Sequence, residues 1–179
     1  MPNAFAVGRK GAGVVVVSTE IMQMLDHEEL EGVLAHELAH IKNRDVVIMV
    51  IGQAIASIVG LVVQFAVIFA GDNELADFFL GMILGNIAQL LVMTVVLAIS
   101  RYREYVADED AATYTRNPDA MARALEKISK GAQGREMRGE DTVSALCIFG
   151  SSSGLVQRIF STHPPTEKRI SRLRGMNAY

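Results

Sequence analysis

Two long stretches without a charged side chain limit what this chain can fold into more than any other feature. Val46 to Gly71 is 26 residues without Asp, Glu, Lys or Arg, interrupted only by the polar Gln53, Ser57 and Gln64. Phe78 to Ser100 adds 23 more, interrupted by Asn86, Gln89 and Thr94. A helix rises about 1.5 Å per residue, so roughly 20 apolar residues cross the hydrocarbon of a bilayer. Both runs reach that length, and helices over about 46–70 and 78–100 are expected to span. The alternative is a pair of buried helices in a soluble domain. A chain of 179 residues is too small to cover two helices that are apolar all round. Both runs are internal, so neither reads as a signal peptide.

The segment between them, Gly71 to Asp77, holds three acids and no base, and all 17 Lys and Arg lie outside the hairpin. Lys42, Arg44, Arg101 and Arg103 flank its two ends. By the positive-inside rule both chain ends are expected in the cytoplasm, in a multi-pass protein of the cell membrane. The amides of Gln53, Gln64, Asn86 and Gln89 are expected to hydrogen-bond between helices, with a polar pathway as the alternative.

Composition closes off several function classes. Half the residues are hydrophobic, the formal charge is −3, and no basic cluster is set aside for phosphate, so a nucleic-acid partner is not expected. No Gly-rich phosphate loop precedes a helix, so no nucleotide is expected either. The single Cys147 cannot form an intrachain disulfide and reads as a small core residue. The length suits one domain over 1–179.

Outside the spans the pattern is mixed. Asn3 to Gly8 and Gly13 to Thr19 read as two short strands around a basic, Gly-rich turn. From Asp26 the chain turns helical, with Leu30, Val33, Leu34, Leu38 and Ile41 at spacings of three and four. No Pro or Gly stops this helix before Gly52, so it is expected to run unbroken into the first span. The second span is expected to continue in water to about Thr113. Asn117 and Pro118 restart a helix through Lys130. A charged, Gly-rich loop is expected from Gly131 to Asp141, a small apolar patch from Ser144 to Phe149, and a break over Ser151 to Gly154. Pro164 and Pro165 open a basic helix with Ile170 and Leu173 inward. His27, between Asp26 and Glu28, reads as a solvated helix start.

The chemistry is carried by His36-Glu37-Leu38-Ala39-His40. Histidines at i and i+4 share one helix face, so two imidazoles can hold one Zn2+, and the glutamate between them is placed as general base for a water that the metal activates. Such a five-residue pattern also arises by chance on surface helices. Here Val33 to Ala35 just before it are apolar, and two of only four histidines in the chain have this spacing. Catalytic zinc takes three protein ligands. Glu104 is the candidate third, because an antiparallel hairpin returns it to the membrane surface where His36 and His40 lie. Asp108, one turn further on, is placed to accept the free N–H of a ligand histidine. An ion-pair network of these acids with Arg101 and Arg103 is the competing reading.

With Ser100 to Asp108, and Ser161-Thr162-His163-Pro164-Pro165-Thr166, this motif resembles the HtpX-type membrane zinc metalloproteases, relatives of the CAAX prenyl endopeptidases. Asn3-Ala4-Phe5-Ala6 is similar to the segment before that family's edge strand, and the resemblance runs from about Pro2 to Arg174. It implies a mainly α membrane protein, with a transmembrane hairpin inserted into a gluzincin-like peptidase core that has a small β element. It implies His36, His40 and Glu104 on one zinc, Glu37 as base, and cleavage of damaged or misfolded membrane proteins. It also suggests His163 and Arg169 near the substrate carbonyl, where both could stabilise an oxyanion. The competing reading of His163 is a turn before the last helix. Val14 to Thr19 is then the expected edge strand for an extended substrate. Family members usually carry two further N-terminal membrane helices, so a fragment or a short form is expected.

Two rivals make different demands. Asn117-Pro118-Asp119 is similar to the aspartate motif of site-2-type intramembrane proteases, which would put Asp119 on the metal. Against it, the motif helix carries Glu28, Glu29, Glu31 and Lys42, which suit water rather than a bilayer interior. A non-catalytic membrane adaptor with a zinc site would more often have lost a ligand or the base, and all four are present.

Overall fold

The computed structural model describes residues 3–9, 11–136 and 164–176. His163, Cys147, the patch at 144–149 and the break at 151–154 lie outside these residues.

Strands β1 (Ala4–Arg9) and β2 (Ala12–Val17) form an antiparallel hairpin in the register Ala4↔Val17 to Arg9↔Ala12. Gly8 and Gly11 sit at φ 140° and 88°, a region that a side chain would strain, which is why the turn carries glycines. The second strand stops two residues sooner than expected. Ser18, still extended in backbone (φ −71°, ψ 149°), caps α1 (Thr19–Met24), its hydroxyl accepting from the Ile21 N–H at 3.3 Å and from the Asn3 N–H at 3.0 Å.

Helix α2 (His27–Asn43) starts as expected at Asp26, in a reciprocal cap. The Asp26 carboxylate accepts from the Glu29 N–H at 2.9 Å, and Glu29 accepts from the Asp26 N–H at 3.0 Å. The helix does not run unbroken into the first span. Arg44 adopts a left-handed conformation (φ 55°), its N–H turning back to the carbonyls of His40 and Ile41, and α3 (Asp45–Ala70) starts afresh. A left-handed non-glycine residue costs about 1–2 kcal/mol. Tertiary contacts offset it: Arg103 donates to the Asn43 carbonyl at 3.1 Å, and the Asn43 amide donates to Asp110 at 2.7 Å.

Helix α4 (Glu74–Thr115) is one continuous element of 42 residues, antiparallel partner to α3 and then a rod into the helical core. Only 11% and 17% of the most apolar stretches of α3 and α4 are buried, unlike the core helices of a soluble domain. The two helices approach through glycines. A Cβ on Gly85 would stand 2.6 Å from the Gly60 carbonyl, and one on Gly52 would stand 2.9 Å from Val96. Of the amides, Gln89 reaches Ser57 across the pair at 3.5 Å, while Asn86 bonds Met82 on its own helix.

Helix α5 (Pro118–Glu136) is capped by Asn117, which accepts from the Ala120 N–H at 3.1 Å. It passes through Gly131, where a loop was expected. A side chain there would meet Met24 at 2.9 Å, so the glycine serves a close approach to α1. Helix α6 (Thr166–Gly175) lays Leu173 inward, with Ile170 half-buried. Ile21, Leu25, Val33, Ala112, Met121 and Leu173 form the core that clamps α1, α2, α4, α5 and α6 together beside the metal motif.

If the glycine crossing holds the hairpin, Gly85→Val should destabilise the protein by about 1–3 kcal/mol through overpacking. Gly175→Ala, with nothing within 4 Å of its new Cβ, should be close to neutral. Thermal unfolding in detergent reads the difference.

Candidate metal centre

Because His36 and His40 lie one turn apart on α2, their rings face the same way and meet edge-on, with centroids 4.7 Å apart. Their Nε2 atoms are 3.1 Å apart. Helix α4 returns across them and sets the Glu104 carboxylate 3.6 Å from His36 Nε2 and 3.7 Å from His40 Nε2. Ligands in a tetrahedral shell at about 2.0–2.1 Å stand roughly 3.4 Å from one another. The three separations bracket that value. Two imidazole nitrogens and a carboxylate are also a donor set suited to zinc, so the residues fit a metal ion.

Both remaining ring nitrogens face carboxylates. His36 Nδ1, which makes no regular hydrogen bond, faces Asp108 Oδ1 at 3.0 Å. His40 Nδ1 lies 2.6 Å from Asp45 Oδ2. Protonated Nδ1 atoms held this way leave the Nε2 lone pairs for a metal. The carboxylates are anchored in turn. Arg169 grips Asp108 with two bonds, Nε to Oδ2 at 2.7 Å and Nη2 to Oδ1 at 2.6 Å, and its Nη1 reaches Glu104 at 3.0 Å. Arg103 donates to Asp45 through Nε at 2.6 Å and also through Nη2.

Burial lowers the His36 basicity, but hydrogen bonds to Asp108 and Glu104 outweigh it and lift its pKa to about 9. A cation binding there displaces that proton, so binding strengthens as pH rises towards about 9. Burial also pushes the Glu37 carboxyl up, against the pull of His36 and His40. Asp108 is raised by burial and lowered more by Arg169 and His36, which hold it charged.

Glu37 opens into a cleft shared with His40 and Glu104 on one side and with Phe5 and Ala6 of β1 on the other. The strand along this cleft is therefore β1, where β2 was expected. Asn3 pairs with Ser18 through both its N–H and its carbonyl, so by antiparallel alternation Phe5 and Val7 also point their backbone at β2. Ala4 and Ala6 point theirs outward.

The structure thus brings together His36, Glu37, His40, Glu104, Asp108 and Arg169 from the sequence reading. Asp119 stands apart, exposed in the first turn of α5 and outside the His36–His40–Glu104 group. Arg103 pairs with Asp45, whereas Glu104 and Asp108 pair with Arg169. Asp45 was not anticipated. On an unbroken helix, a residue five positions after His40 points about 140° away from it; the left-handed Arg44 turns it back.

The family model described as Peptidase family M48 matches residues 1–177. The chain belongs to peptidase family M48. It is 56% identical to a Protease HtpX homolog of Halobacterium salinarum, over 98% of this chain and 68% of that protein. It is 44% identical to one of Salinibacter ruber and 41% identical to one of Syntrophobacter fumaroxidans, covering 98% of this chain in both cases and 64% and 66% of those proteins. The chain thus spans about two thirds of the length of these relatives. No solved structure gives a significant match. Membership of M48, a metallopeptidase family, implies a metal cofactor, and the HtpX resemblance is borne out by the relatives' names.

Removing an orienting carboxylate typically costs about 10–100-fold in metal affinity. Asp45→Ala in this M48 chain should lose that much although Asp45 touches no metal, and Asp108→Asn should do likewise. Chelator competition measures it; unchanged affinity in Asp45→Ala would mean that His40 needs no partner.

Proposed function

We propose that the chain is the catalytic part of a zinc-dependent endopeptidase of the cell membrane, forming a single metallopeptidase domain over residues 1–179 and acting on misfolded or damaged membrane proteins. The observation that carries this is the convergence of His36, His40 and Glu104 in an M48 chain, with each histidine facing a carboxylate and Glu37 open to the same cleft.

In this reading His36, His40 and Glu104 hold one Zn2+. When bound, zinc polarises the substrate carbonyl and brings the pKa of a water near neutrality. Glu37 takes the proton of the attacking water and returns it to the leaving amine; its raised basicity suits that exchange. Substrate pairs in extended form with the outward backbone of Ala4 and the carbonyl of Ala6, whose N–H bonds Glu37, a register that the β1 wall of the cleft supports. Asp108 and Asp45 fix the imidazoles. Arg169 is committed to Asp108 and Glu104, so its geometry favours positioning of the ligands over direct contact with an oxyanion. His163 stays the candidate oxyanion donor on the family resemblance.

Spanning by α3 and α4 is supported by their length, apolarity and exposure. The charge distribution then sets the active site on the cytoplasmic face, since the 71–77 link carries only acids.

Two measurements test this reading. Glu37→Ala should abolish proteolysis of casein while retaining the metal, whereas Glu104→Ala should lose both. Retained turnover in Glu37→Ala removes it as the base. For topology, a reporter inserted after Asn73 should be extracytoplasmic and one fused after Tyr179 cytoplasmic; the same side for both would mean that one helix does not span.

A further inference from the structure

The catalytic cleft does not stop at the metal ligands. Its wall on α3 is formed by Val46, Met49, Val50 and Gln53. These are positions i, i+3, i+4 and i+7, a single stripe of one helix. Val46 and Val50 are 72% and 58% exposed, so among the described residues nothing covers the stripe at these positions. The stripe is continuous with Glu37, His40 and Glu104, and it descends into the segment read as membrane-spanning. From Asp45 to Gln53 the helix drops eight residues, about 12 Å. An extended peptide covers that depth with roughly four residues.

Gln53 ends the stripe. The Gln89 and Asn86 amides find partners within the hairpin, whereas the exposed amide of Gln53 makes no hydrogen bond among the described residues. An unsatisfied amide facing hydrocarbon is costly. One facing a peptide backbone gains a partner.

We propose that this stripe is a substrate trough: it takes about four uncharged, apolar residues on one side of the scissile bond, where a substrate chain leaves the bilayer in extended form, and Gln53 hydrogen-bonds the backbone at its floor. The proposal rests on the peptidase reading above and adds the substrate chemistry to it. The occupant is an apolar polypeptide segment because the wall from Val46 downward carries no charge and opens directly onto the base and ligands.

The test uses the full chain, loaded with zinc in detergent micelles, and quenched fluorescent peptides of one cleavable sequence. These carry four leucines or four aspartates on the N-terminal side, or on the C-terminal side, of the scissile bond. The unaltered chain should prefer leucine over aspartate on one side only. Val50→Lys should lower that preference, the ratio of kcat/KM for the two peptides, at least tenfold, mainly through KM. Gln53→Leu should raise KM for the leucine peptide several-fold, and Gln53→Asn should recover part of it. Metal content equal to that of the unaltered chain shows that each variant is folded at the site. A preference unmoved in both Val50→Lys and Gln53→Leu, with zinc-dependent cleavage intact, overturns the trough and leaves the peptidase reading standing. No zinc-dependent cleavage of any peptide by the unaltered chain overturns the peptidase reading and the trough with it.

Discussion

Three buried or nearly buried carboxylates meet at this site, and their charge has to be answered. Asp45, Glu104 and Asp108 bring three negative charges to a place where water is scarce, and Arg103 and Arg169 bring two positive ones. Counting these five groups alone, one negative charge is left beside two imidazoles. An uncompensated buried charge costs several kcal/mol, so the site demands a further cation. The lifted His36 basicity expresses that demand with a proton, and a divalent metal meets it with a better geometry, since the Nε2 atoms and the Glu104 carboxylate already converge. The same arrangement accounts for Arg169. A lysine could neutralise one carboxylate, but only the guanidinium fork spans both Asp108 and Glu104.

Much of this was legible in the chain because it is local or set by length. The His-Glu-x-x-His spacing is a property of one helix, and its imidazoles converge wherever that helix goes. Glu104 is far in sequence but follows from a simple rule: two runs of similar length fold back and bring their ends together. The Asp26 and Asn117 caps were readable because capping depends on three or four neighbouring residues. What escaped reading depends on tertiary contacts. Nothing local marks Arg44 as a left-handed break, because Asn43 and Asp45 are held by Arg103 and Asp110, some 60 residues away. The early end of β2 and the helix through Gly131 have the same origin, in Asn3 reaching Ser18 and in Met24 packing on Gly131. The missing partner of His40 is the costliest of these omissions, because one unanticipated backbone angle hid a whole element of the site.

The continuity of α4 links the apolar hairpin to the candidate metal centre. A helix of 42 residues without Gly or Pro after Gly85 has no ready hinge between its apolar half and Glu104. The junction on the other strand of the hairpin is different in kind. Arg44 separates α2 from α3, and the polar contacts around it lock that joint to α4 rather than leave it loose. The candidate ligands His36, His40 and Glu104 are therefore referred to a single frame even though they come from two helices on either side of the apolar segment.

This frame is also asymmetric about the ligands. On one side Asp108 and Arg169 are nearly excluded from water. On the other side Glu37 is only partly buried, bonds the Ala6 backbone at the outer edge of β1 and faces the outer stripe of α3. Among the described residues the open approach is from the Glu37 side, where the proposed reading needs a base. The arginine clamp makes the site rigid at the back, and the cost of burying its charges is offset by ligands that need not reorganise when a substrate arrives. The front stays open, bounded by a strand edge that can bind backbone and a helix face that can bind apolar side chains. Two unlike walls meeting at Glu37 would, on the proposed reading, accept an extended chain along β1 while its continuation runs down α3, and it is at this bend that Glu37, His40 and Glu104 lie.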